Sequence, residues 1–229
     1  MRYFLLIAAL LCTQAWAAPD KVQAVYDVYM NGLKVGQIDE NYIRRGDQYT
    51  LTSVTTPQGL MAAFRPGKIY ITSQGGIDAH GLRPLNFEDR REGNPEKDSS
   101  ARFDWDQHLL TLTHQSQHAQ LPLTEGTQDR LSAMYQFMFT PLEHVDTIAF
   151  AMTNGSKLDN YRYAIGPLQQ LSTPAGKFDT RHLDSQGKPG ENRTEIWLET
   201  QYNLPCKMII TDAGGERLSQ VLSSLKTTP

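Results

Sequence analysis

Short alternating runs, cut at regular intervals by turn residues, constrain this chain more than any other feature. Val22, Ala24, Tyr26, Val28 and Met30 fall on one face of an extended segment, because successive strand side chains point to opposite sides. Asn31-Gly32 follows at once. That pair favours the left-handed backbone of a two-residue hairpin. The pattern repeats along the chain. Runs near Leu33–Ile43, Gln48–Thr55, Lys68–Ser73, Leu85–Arg91, Ser100–Trp105 and Gln107–His114 form the first half. Thr147–Met152, Asp159–Ile165, Phe178–Leu183, Thr194–Tyr202, Pro205–Thr211 and Arg217–Leu225 form the second. Strands at this spacing predict an all-β, mainly antiparallel fold. Roughly ten or more strands in one sheet must curl or close, so the expected form is a large curved sheet or an open half barrel.

One stretch breaks the pattern. In Gly126–Met138, residues Leu131, Met134, Tyr135 and Met138 recur at i, i+3, i+4 and i+7, the stripe of a helix buried along one side. Thr127 suits a cap, Asp129 suits the first turn, and Pro141 marks the stop. The expectation is a helix over about 127–139 laid against one face of the sheet. A second interruption lies between Pro57 and Pro66. There Gly59–Phe64 forms a short apolar patch, read either as a half-turn packed on the core or as a lip over a pocket.

The N-terminus has a separate function. Arg2, the apolar run Phe4–Leu11 and Ala15-Trp16-Ala17 have the form of a secretory signal cleaved after Ala17. Residues 18–229 then suit a single β-rich domain in the periplasm. Leu11 before Cys12 is too large for a lipoprotein signal, and no later run approaches the ~18–20 apolar residues of a membrane span. The expected product is soluble and not membrane-spanning. Cys206 is the only cysteine after the signal, so no internal disulfide forms. Its setting among Leu204, Pro205 and Met208–Ile210 reads as a buried core position.

Charge is near balance, with 22 Lys and Arg against 25 Asp and Glu. A nucleic-acid partner is therefore not expected. Asp104 and Asp106 would share one face of a strand end, where carboxylates chiefly make turn hydrogen bonds. His114 and His118 lie four apart without the third ligand or second shell of a zinc site. The other histidines form no pattern. Gly-x-Ser-x-Gly, Ser-x-x-Lys and phosphate-loop motifs do not occur. No cofactor, metal or catalytic set is expected on these grounds.

Several short motifs occur in order. They are Tyr29–Gly36, Gly81–Leu85, Phe103-Asp104-Trp105, Gly126–Ser132, and Trp197-Leu198 with Leu204-Pro205. With them the chain resembles the DUF3108 family of exported bacterial proteins over nearly all of its length after the signal. Cys206 stands where Leu-Pro-Val occurs in such families. The resemblance implies an exported, β-rich envelope protein and implies no reaction.

Three functional classes fit these features. The first is a non-enzymatic binding or carrier protein for a lipid, another hydrophobic ligand or an acylated envelope component. In it Leu60, Met61 and Phe64 form the entrance, and Met134, Tyr135 and Met138 the floor. The second is a scaffold that pairs a partner strand along an open sheet edge. The third is a polysaccharide-handling enzyme with Asp104, Asp106 and Asp129 at a polar cleft.

Overall fold

The computed structural model describes residues 18–64, 66–187 and 191–229. The signal segment expected over 1–17 lies outside the described residues.

The first half holds β1 (Lys21–Met30), β2 (Leu33–Arg45), β3 (Gln48–Pro57), the single helical turn α1 (Leu60–Phe64), β4 (Ile69–Asp78), β5 (Gly81–Arg91), β6 (Ser99–Asp104), β7 (Leu109–His114) and β8 (Gln117–Pro122). A crossing segment follows. It contains the two-residue β9 (Gln128–Asp129) and the helix α2 (Ser132–Gln136), which tightens into a 3₁₀ turn over Phe137–Phe139. The second half is β10 (Thr147–Thr153), β11 (Leu158–Thr173), β12 (Gly176–Asp184), β13 (Arg193–Glu199), β14 (Pro205–Thr211) and β15 (Arg217–Thr228).

These strands make one sheet of 15 in the order 8-7-6-5-4-3-2-1-15-14-13-12-11-10-9. Every neighbour is antiparallel except β9, which runs parallel to β10. The first and last long strands meet as β1 and β15, from Lys21↔Thr228 to Met30↔Leu218. The two halves of the chain are therefore two meanders joined along their shared centre. Among the described residues no ladder joins the two edges, β8 and β9, so the sheet is open.

The alternation read from the sequence sets the two faces. Val22, Ala24, Tyr26 and Val28 are buried together. The register extends that row sideways, pairing Val22 with Tyr42, Tyr42 with Leu51, Leu51 with Ser73 and Ser73 with Phe87. The buried side is concave, because the ends of the sheet approach across it. The amide of Ala175, in the β11–β12 turn, donates to the Leu222 carbonyl of β15 (3.3 Å). Ser99 of β6 donates to the Asn154 carbonyl beyond β10 (2.8 Å).

The structure departs from the sequence reading at four places. The helix expected over 127–139 contracts to Ser132–Gln136 with its 3₁₀ extension. Thr127 does not cap it; its hydroxyl closes a turn on the Thr124 carbonyl (2.7 Å). Gln128 and Asp129 pair with Met152 and Thr153 instead. A helix this short has little stability of its own, so its bounds follow the contacts of Leu131, Tyr135 and Phe137, all buried. Secondly, β8 falls in a polar run with no apolar alternation. It forms because Gln115 and Ser116 both adopt positive φ (50° and 61°) and turn β7 back on itself. Thirdly, β4 does not end near Ser73, where the alternating run stops, but passes through Gly75-Gly76. The strand continues to Asp78 over a bulge, where a Cβ at Gly75 would stand 2.2 Å from the Arg83 carbonyl oxygen. Finally, β11 runs through Gly166-Pro167 to Thr173.

Candidate functional site

The crossing segment is fastened to the concave face by buried polar groups. Asp129 is fully buried. Its Oδ1 accepts the amides of Leu131 (2.9 Å) and Ser132 (2.8 Å), and its Oδ2 accepts the Ser73 hydroxyl (2.5 Å). Asp129 thus supplies the capping expected of Thr127, from the strand side. Ser73 is also hydrogen-bonded to the Tyr49 hydroxyl at 3.0 Å. Burial pushes the Asp129 carboxyl up, and the donors from Ser73, Ser132 and Leu131 oppose it.

Glu40 on β2 forms the second anchor. Tyr135 of α2 donates to its Oε2 (3.0 Å) and Ser53 to its Oε1 (3.3 Å). Burial pushes Glu40 up to about 7 against these two hydrogen bonds. The Tyr135 ring stacks on Tyr42 with centroids 5.7 Å apart. At the hairpin between β4 and β5, Gln128 donates to the Leu82 carbonyl (2.8 Å). Gln136 accepts the Leu82 amide (2.7 Å) and donates to the His80 carbonyl (2.8 Å). Gly81 permits this approach: its φ is +110°, and a Cβ there would lie 2.5 Å from Gln136 Oε1. Arg130 and Arg91 both reach Asp89 Oδ2, at 2.9 and 3.3 Å. These groups chiefly bond one another and so fasten the crossing segment to the sheet, although among the described residues the buried Asp89 Oδ1, Gln128 Oε1, Arg91 Nε and Arg130 Nε have no hydrogen-bond partner.

The six residues expected to line a ligand site do not come together. Tyr135 is buried and bonded to Glu40. Met134 and Met138 are half-buried against the central core, with Ile77, Leu82 and Phe139 in the same cluster. Gln136 ties this end of the segment to the β4–β5 hairpin, beside the Asp47 turn. Leu60, Met61 and Phe64 lie beyond the opposite end of β3. At about 3.3 Å per residue, the span from Gln48 to Pro57 is roughly 30 Å. Met61 is half-buried there and Phe64 is 79% exposed.

The remaining candidates separate as well. His114 and His118 stand on neighbouring strands, with Thr113 opposite His118 and His114 opposite Gln117, so their side chains lie on opposite faces. Asp104 accepts the Gln107 amide in a turn (3.0 Å), as expected of a carboxylate at a strand end. Cys206 is fully buried, and burial with the nearby Glu199 carboxylate pushes its thiol up to about 12.

What sequence reasoning missed is the open edge of β10. Among the described residues, β9 covers only Met152 and Thr153, and no strand pairs with the outer side of Thr147–Ala151. This strand, Thr-Ile-Ala-Phe-Ala-Met-Thr, has no charge and no proline. Those are the usual guards of an exposed edge. Phe150 stacks on Tyr161 and Tyr163 at 6.5 and 6.1 Å and meets Phe137 edge-on at 6.2 Å. The edge is therefore rigidly backed. The missing charge was visible in the sequence; that the strand lies at an edge was not.

A single curled antiparallel sheet, left open and filled on its concave side by its own chain, defines a barrel-like open-sheet protein. The family model described as "Protein of unknown function (DUF3108)" matches residues 25–221, and the chain belongs to that family. Among solved structures, the chain is similar to a β-barrel-like protein of domain of unknown function DUF1849 from Brucella abortus. The identity is 12% and the TM-score 0.59, over 92% of this chain and 99% of that one. A protein described as a "putative lipoprotein" from Parabacteroides distasonis matches at 9% identity and TM-score 0.36, over 92% and 96% of the two chains. An exported protein with a YmcC-like fold from Bacteroides fragilis, also described as "putative", matches at 8% and 0.31, over 91% and 96%. The first of these likenesses shows the fold. No curated protein matches the chain.

Proposed function

We propose that this protein is a non-enzymatic binding module of the cell envelope, exported by the signal at residues 1–17 and acting in the periplasm. Its contact surface is the open edge of β10. An extended segment of a partner protein adds there as a further strand, and main-chain hydrogen bonds supply the affinity. One observation carries this reading. The chain already lays its own strand, β9, along that edge and stops after two residues, leaving Thr147–Ala151 free of a paired strand. The partner segment is uncharged and apolar on alternate residues, to match Ile148 and Phe150.

A second reading rests on Phe64, a large apolar side chain 79% exposed on α1. There Met61 and Phe64 grip an acyl chain or an acylated envelope component at the surface. Met134, Tyr135 and Met138 would join such a site only if the crossing segment left the sheet.

The test is residue-specific photo-crosslinking in living cells. A crosslinker at Thr147 should give a discrete adduct that a crosslinker at Lys177, exposed on another strand, does not. Ala149→Lys should abolish the adduct. Equal labelling from both positions, or none from Thr147, would reject the edge.

A further inference from the structure

A second surface lies on the convex face, away from the β10 edge. The register brings Thr50, Gln74, Asn86, Arg102, Thr111 and Gln120 into one row across β3 to β8. Neighbouring strands lie about 4.8 Å apart, so the row extends roughly 24 Å. Among the described residues none of these six side chains makes a hydrogen bond or ion pair within the protein. The adjacent row differs: Gln23 bonds to Asn41 and Thr113 to His118. Two surface cavities open along the uncommitted row. One, of about 390 Å³, lies over Thr50, Gln74 and Asn86. The other, of about 360 Å³, lies over Arg102 and Asp104. Leu85 lines both and is 43% exposed.

We propose that this row binds a neutral oligosaccharide chain. Amide and hydroxyl side chains both donate and accept, which matches a ligand carrying paired hydroxyls along its length. Leu85 offers an apolar contact to the C–H face of a sugar ring between the two cavities. Charge argues against a polyanion. Arg83 and Arg102 share one cavity with Asp104 and Asp106, and the other cavity carries a single charge, Arg45, among its lining residues. Arg83 is also held by Asp78 and Glu125, each at 3.6 Å. An elongated row of equally spaced polar groups favours an extended chain over a single sugar. The site requires no catalysis, and it leaves the β10 edge free for a protein partner.

The test titrates the ¹⁵N-labelled mature protein with cellotetraose and, separately, with the tetramer of N-acetylglucosamine. With at least one probe, saturable shifts should appear at the side-chain amides of Gln74, Asn86 and Gln120. Gln74→Ala and Asn86→Ala should each weaken binding about fivefold, the worth of one neutral hydrogen bond, at unchanged melting temperature. The site is refuted if neither probe gives saturable shifts at millimolar concentration. It is equally refuted if shifts cluster at α1 or β10, or if both variants bind as the parent does.

Discussion

Glu40 decides how stability responds to pH. Its carboxyl is raised from 4.5 to about 7 in the folded protein, chiefly by burial. The folded state then holds a proton that the unfolded state releases, so stability falls as pH rises from about 4.5 to 7. The shift corresponds to at most about 3 kcal/mol, less to the extent that water reaches the half-buried side chain. Asp129 is raised in the same direction. Denaturant midpoints should drop between pH 5 and pH 8, and Glu40→Gln should remove most of that drop. An unchanged slope in the variant would show that Glu40 is ionised throughout. Asp129→Ala is the harsher substitution. It strands two main-chain amides and the Ser73 hydroxyl in a dry interior, at a cost of about 3 kcal/mol or more. Asp129→Asn, which keeps part of that acceptor set, should lose less, as read by urea midpoints.

At the scale of elements, the β10 edge makes a different prediction. Ala149 is exposed, so Ala149→Lys should change stability by no more than about 0.5 kcal/mol, measured by thermal melting. The same change should block strand addition, because an edge lysine is how natural sheets discourage pairing. A loss of several kcal/mol would mean that the strand is covered in the free protein. This scale also shows what the sequence could and could not convey. Strands β1 and β2 were legible because apolar alternation and Asn31-Gly32 marked face and turn together. Strand β8 was illegible because an exposed edge strand needs no apolar face, and its turn used Gln115 and Ser116 in place of glycine. The crossing segment was half legible. Its apolar stripe marked Leu131 and Tyr135 as buried, but its bounds depend on Ser73, Glu40 and Leu82, which lie 46 to 95 residues away in sequence along the bonds they make. The proposed ligand residues fell apart for the same reason. Nothing local shows that α1 and the far end of α2 sit at opposite ends of one strand.

At the scale of the whole molecule, the described residues form one open sheet curled around its own chain. Three apolar clusters fill it: one beneath β1 to β3, one around Phe87, Phe103 and Leu110, and one around Phe137, Tyr163 and Ile196. The crossing segment touches the first through Leu131 and Tyr135 and the third through Phe137 and Leu142. Partners are therefore expected at the edge and the outer face, and no lipid is expected on the concave side, where the crossing segment packs. Native mass spectrometry of protein released gently from cells tests this most directly. The expected mass is that of the polypeptide beginning at Ala18, with no lipid retained. A stoichiometric lipid adduct, recovered by solvent extraction and lost when the concave face is altered at Met134 or Met138, would contradict it.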